Sequence, residues 1–187
     1  ENGILTLTFN RPESLNAFLP EMLDALAHAV ETAKDTGANV VVIEGEGRAF
    51  SAGVDLKVLQ GETPVAGKIG TKMDGPGVRA ATALRNAAVP VIAKVHGACF
   101  TGALELALSC DFIYALASTK FGDTHAKFGL RPTWGMAQLL ASAVGAARAK
   151  ELSFTARTFS GSEAFAYGMI NAVFDEAGDM DAAIEKM

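Results

Sequence analysis

Apolar and polar residues alternate over positions 3–10, a period of two that predicts a strand ending at Arg11-Pro12. Over 20–36 the apolar positions Met22, Leu23, Leu26, Val30 and Ala33 fall at helical spacing, and Gly37 stops that helix. Four apolar residues open the run 40–44, which predicts a buried strand; a small-residue turn over 45–54 and a short helix from Asp55 follow. Positions 61–77 mix Gly, Pro, Lys and Thr with little periodicity and read as a mobile loop. Beyond it the pattern predicts a helix over 78–86, a strand over 91–95, a helix over 102–109, a strand over 111–115 and a short extended piece at 120–122. Helices over 135–144, 147–155 and 162–167, a last strand over 170–174 and a helix under way at 180–187 complete the reading. Such alternation indicates an α/β fold with helices packed on a mostly parallel sheet, and pattern alone suggests a doubly wound strand order.

Within that pattern, the stretch from Val95 to Leu106 carries candidate chemistry. It passes from an apolar strand through a turn of small residues into a helix with one acid near its start. A helix N-terminus leaves backbone N–H groups unpaired and partly positive, and Gly, Ala and Thr let a ligand come close to them. Glu105, three residues after Gly102, shares a helix face with that amide. One short segment can therefore supply an oxyanion donor and a general base. Residues 48–57 repeat the arrangement, with a strand ending in a Gly/Ala/Ser turn.

With 187 residues, half of them hydrophobic, the chain can bury one substantial core as a single domain. A net charge of −5 argues against a nucleic-acid footprint, which requires a basic patch. No stretch is long and apolar enough to span a bilayer, and no basic-then-apolar leader opens the sequence. The two cysteines, Cys99 and Cys110, lack metal-ligand spacing and fit reduced thiols of a cytoplasmic protein. No metal, flavin or nicotinamide site is indicated.

Four segments in order resemble the enoyl-CoA hydratase/isomerase (crotonase) family: Asn10-Arg11-Pro12 with Leu15-Asn16-Ala17; Phe50 through Leu56; His96-Gly97 through Gly102 to Glu105; and Cys110-Asp111. The resemblance implies a crotonase-like spiral of ββα units in place of doubly wound order, assembled as a homotrimer or a dimer of trimers. It also implies a C-terminal helical region that this sequence lacks, so we expect a chain truncated at both ends. Coenzyme A is then part of an acyl-CoA thioester substrate, with no separate cofactor.

By the same resemblance, the amides of Val54 and Gly102 form the oxyanion hole and Glu105 is the general base or acid. Glu13, Ser14, Ala17, Ala52, Asp55 and Leu56 stand at coenzyme A and pantetheine positions. Pro132-Thr133-Trp134-Gly135 lines the acyl end, with the Gly135 amide near the reacting water. Lys57, Lys68 and Lys72 are candidates for the coenzyme A phosphates. One position departs from the family: its hydratases carry a second carboxylate in a Phe-Gly-x-Pro-Glu stretch, where this sequence reads Phe121-Gly122-Asp123-Thr124-His125. Two neighbouring carboxylates must share a proton, whereas Glu and His attract, favouring Glu⁻ beside His⁺. Asp123, two residues earlier on an extended segment, is placed to orient the imidazole. Hydration of a 2-enoyl-CoA, with His125 as acid, is the leading expectation. Thioester hydrolysis, double-bond isomerisation and non-catalytic acyl-CoA binding are the alternatives. His28 and His96 read as structural, and Asp111 as a turn cap.

Overall fold

The computed structural model describes residues 3–61 and 63–187; Glu62, within the 61–77 segment, lies outside them. Five strands form a parallel sheet: β1 (Ile4–Phe9), β2 (Val40–Gly45), β3 (Val91–Val95), β5 (Phe112–Leu116) and β8 (Ala172–Phe174). They lie side by side in that order, so the sheet grows in one direction only. That corrects the doubly wound order suggested by pattern, which needs the strand order to reverse. Strand–helix alternation encodes local structure and carries no information on which side the next strand is added.

Between visits to this sheet the chain drops into a second layer. There β4 (Ala98–Phe100) pairs parallel with β6 (Lys120–Gly122), and β6 pairs antiparallel with β7 (Phe159–Ser160). Single bridges Ser51–Cys99 and Phe18–Val54 extend the layer toward the earlier turns of the chain. Each turn thus gives one segment to each layer, which is the spiral the family resemblance implies.

Helices α1 (Pro20–Glu31) and α2 (Thr71–Arg85) pack together over one face of the large sheet, with α3 (Gly102–Ala107) buried beneath them. On the opposite face, α7 (Ala177–Glu185) sets Met180 and Ile184 against Val42 and Ile92. A sheet covered on both faces requires strands apolar on both, and β2 answers with Val41, Val42 and Ile43 all buried. Helices α4 (Met136–Val144), α5 (Ala146–Thr155) and α6 (Gly161–Ala166) follow one another along the second layer. Among the described residues, no helix is long and apolar enough to cross a membrane.

Local readings differ from the structure at several places, three of which bear on the site. The short helix expected from Asp55 is a run of turns: Asp55 Oδ1 accepts from Lys57 N at 3.0 Å, and successive three-residue turns run to Gln60. The loop expected over 61–77 ends early, because α2 already starts at Thr71. Within it Gly77 serves packing: a Cβ there would stand 1.9 Å from Trp134 Cε2. Close approach of an indole ring requires glycine at position 77 despite its low helix propensity. Finally, the small-residue turn after β3 contains β4. The readings of Asp111, His96 and His28 fit their surroundings: Asp111 Oδ2 accepts from Val91 N at 2.8 Å, His96 Nε2 donates to Gly47 O at 2.8 Å, and His28 is exposed in the last turn of α1.

Candidate active site

Two turns meet at the start of α3. The first holds Val54. Phe18 N donates to Gly53 O and Asp55 N donates to Phe18 O, so strand-like alternation turns the intervening Val54 N–H away from Phe18. The second holds Gly102, the first residue of α3. A Cβ on Gly53 would lie 3.5 Å from Gly102 N, so the turns are in contact. Neither amide has a backbone acceptor among the described residues. Both residues line one cavity of about 340 Å³, together with Glu105, His125, Ala52, Leu56 and Trp134.

Asn16, fully buried, staples the first turn in place. Its Nδ2 donates to Glu46 O at 2.9 Å and Ala49 O at 2.7 Å, and its Oδ1 accepts from Arg11 N at 2.8 Å. Ser51 Oγ donates to Asn16 O and accepts from Gly53 N. The sequence shows Asn16 only as part of a motif; its role emerges once residues 30 positions apart are brought together. Asn16→Ala strands the buried Ala49 carbonyl and removes the partners of Glu46 O and Arg11 N, and we expect a loss of about 2–3 kcal/mol, read as a lower urea midpoint at unchanged slope.

Thr101, just before Gly102, has φ 53° and ψ −113°, a costly conformation for a β-branched residue. It is held there by Thr101 N donating to Gly122 O at 2.8 Å and by a 2.5 Å hydroxyl contact with Thr124. The Gly102 turn is thereby tied to the segment that carries His125.

Glu105 is 1% exposed. Its Oε1 accepts from Trp134 N at 2.9 Å and Met136 N at 3.0 Å, which leaves Oε2 toward His125 Nε2 at 3.7 Å. Burial pushes the Glu105 carboxyl above its ordinary value, against the pull of His125 and the two amides. On the far side of the imidazole, His125 Nδ1 lies 2.7 Å from Asp123 Oδ1. Burial works against the Asp123 carboxylate, yet hydrogen bonds from His125 and Ser153 hold it below its ordinary value. The Asp123–His125 pairing expected from the sequence is present, through a turn instead of strand alternation. His125 opens a 3-10 turn (His125–Phe128), and its own N–H also donates to Asp123 Oδ1. With Nδ1–H on Asp123, the imidazole presents Nε2 to the cavity and to Glu105.

Of the sequence-chosen residues, Glu105, His125, Val54, Gly102, Ala52 and Leu56 come together in this cavity. Glu13, Ser14, Ala17 and Asp55 do not line it. Glu13 and Ser14 sit on a 3-10 turn (Pro12–Ser14), Ala17 O accepts from Arg11 Nη1, and Asp55 pairs with Arg11 at 3.2 Å. Gly135 is also outside the lining, at the N-cap of α4 between the two residues whose amides hold Glu105. Lys57, Lys68 and Lys72 are exposed and none lines the cavity. The amides of Trp134 and Met136 had no sequence signal, since a backbone donor carries none. Among the described residues, no group of three or more His, Cys, Asp or Glu is arranged to hold a metal ion.

The sequence profile described as enoyl-CoA hydratase/isomerase matches residues 1–187. The chain is 31% identical over 187 residues to the short-chain-enoyl-CoA hydratase of Clostridium acetobutylicum, covering 99% of this chain and 70% of that protein. It superposes on the enoyl-CoA hydratase from Thermoplasma volcanium GSS1 with a TM-score of 0.90 at 29% identity, over 100% of this chain and 74% of that one. A Thermobifida fusca YX protein solved in complex with acetoacetyl-CoA gives a TM-score of 0.87 at 28% identity, over 100% and 75% of the two chains. Across the curated relatives it matches, the chain spans between 54% and 70% of the relative's length.

Proposed function

The chain belongs to the enoyl-CoA hydratase/isomerase family, and from that premise we propose that it adds water across the C2=C3 bond of a 2-enoyl-CoA thioester. The observation that carries this reading is the Glu105 Oε2 to His125 Nε2 approach of 3.7 Å, in one cavity with Val54 and Gly102. The acetoacetyl-CoA bound by the Thermobifida fusca protein supports an acyl-CoA ligand.

The thioester oxygen accepts from the Val54 and Gly102 amides, where the charge of the enolate develops; losing one such donor costs about 3 kcal/mol of barrier stabilisation. Glu105 Oε2 takes a proton from water as the water oxygen bonds to C3. His125, as imidazolium, passes its Nε2 proton to C2 of the enolate. The product carries hydroxyl on C3 and hydrogen on C2, with Glu105 protonated and His125 neutral. Transfer of that proton from Glu105 to His125 restores the starting pair. A carboxylate whose burial raises its proton affinity is a stronger base than an exposed one, so Glu105 suits the first step. Assembly as a homotrimer or dimer of trimers, and a cytoplasmic setting, belong to the same proposal.

Thioester hydrolysis is the second reading, favoured by the Asp123–His125 pair, which orients an imidazole beside an oxyanion hole. One assay separates the two. Short and medium 2-enoyl-CoA thioesters are incubated with the protein while enoyl absorbance and free thiol are followed together. Hydration predicts loss of absorbance without thiol; thiol release at a matching rate makes the protein a thioesterase.

A further inference from the structure

A second cavity, of about 440 Å³, lies behind His125, between α4 and α5. His125, Leu130 and Arg131 line both cavities, so they form the wall between them. Much of the second cavity is faced by alanines, including Ala137, Ala141 and Ala149, whose short side chains leave the space open. The charges around this wall do not balance. Its carboxylates are engaged: Glu105 by two amides and His125, and Asp123 by His125. Its cations, Lys127 on the first cavity, Lys150 on the second and Arg131 on both, have no carboxylate partner among the described residues.

Arg131 differs from the two lysines in how it is held. Leu130 N donates to His125 O at 3.0 Å, which closes the turn that starts at His125 and sets Arg131 beside it. Arg131 N donates to Gly67 O at 2.9 Å. The first carbons of its side chain rest on Gly67, where a Cβ would come within 3.4 Å of Arg131 Cγ. Backbone and stem are therefore fixed while the guanidinium is free, which reduces the ordering cost of binding an anion. A guanidinium presents a planar fork that matches a carboxylate in two parallel hydrogen bonds.

We propose that the acyl group this site takes carries a second carboxylate, placed beyond the reacting carbons, and that Arg131 recognises it. The inference rests on reading the site as an acyl-CoA site. The shared chemistry is an anion, which the phosphates of coenzyme A could also supply. The acyl carboxylate is favoured because Arg131, beside His125, lines the second cavity as well as the first, whereas Ala52 and Leu56, at the coenzyme A positions, line only the first.

The test uses saturated thioesters, which cannot be hydrated: calorimetric affinities of glutaryl-CoA, butyryl-CoA and free coenzyme A for the protein and for Arg131→Met. Glutaryl-CoA is expected to bind about tenfold tighter than butyryl-CoA, a preference that falls to near unity in Arg131→Met and partly survives in Arg131→Lys. Equal weakening of both thioesters and of free coenzyme A in Arg131→Met assigns the cation to a phosphate and overturns the proposal. So does an absent preference, or one that Arg131→Met leaves intact. Because binding is read without turnover, a glutaryl preference alongside silent hydration and thiol assays would sink the hydratase reading alone. Failure of both thioesters to bind would sink both readings.

Discussion

Glu105→Gln is expected to lower kcat for enoyl-CoA hydration by about 10³-fold, within the range that general acid–base catalysis supplies. The substitution is nearly isosteric. The amide oxygen of Gln can still accept from Trp134 N and Met136 N, the contacts that now hold Oε1 at 2.9 and 3.0 Å. What it cannot do is take a proton from water. Since the Val54 and Gly102 amides are untouched, KM should change little, and the loss should sit almost wholly in kcat. Stability moves the other way. A buried carboxyl with a raised value binds its proton more tightly folded than unfolded. Its stabilising contribution is complete below the ordinary carboxylate range and is lost as pH rises through the raised value. At neutral pH the native protein carries that cost and Glu105→Gln does not. A Tm higher by about 2–4 °C at pH 7, equivalent to about 1 kcal/mol for a domain of this size, is the expected accompaniment. Steady-state kinetics and thermal unfolding on one preparation check both halves. A variant that keeps its kcat places the base elsewhere.

That pairing of lost turnover with gained stability marks what the sequence could and could not carry. Glu105 was readable because a charge between Leu104 and Leu106, three residues from Gly102, is a local pattern. The group that positions it was not, because Trp134 and Met136 reach it with backbone amides 29 and 31 residues away. His125 beside Asp123 was readable as a spacing of two, although the turn that joins them is set by hydrogen bonds that spacing does not specify. The start of α2 was hidden for a related reason. Gly75, Pro76 and Gly77 speak locally for a loop, and only the indole of Trp134, packed where a Gly77 side chain would be, explains the helix. Strand positions followed from apolar periodicity, whereas their order followed only from the family resemblance. Periodicity reports which face of an element is buried; it is silent on which element does the burying.

Removing the imidazole is expected to reduce hydration by about 10²–10³-fold in His125→Ala, because C2 then receives its proton from solvent. Restoring a carboxylate at that position does not simply return the activity. His125→Glu would place three carboxyl groups within one buried cluster, with Glu105 on one side and Asp123 on the other. Like charges at such range cannot all ionise, and the protons that must be taken up distort both the base and the acid. The double variant Asp123→Asn/His125→Glu removes the third charge and is expected to recover more activity than His125→Glu alone. Asp123→Asn by itself keeps an oxygen that can accept from Nδ1–H, so the ring stays oriented. It loses the charged acceptor that now lies 2.7 Å from Nδ1, so a weaker, neutral hydrogen bond holds the ring. A loss of about tenfold in kcat at neutral pH, with little change in the acid limb of the kcat profile against pH, is expected. The acid limb, set by Glu105, should remain above the ordinary range of a glutamate in both proteins. Profiles of kcat against pH for these variants separate an acid that Asp123 orients from a histidine that merely fills space: in the second case Asp123→Asn leaves kcat unchanged.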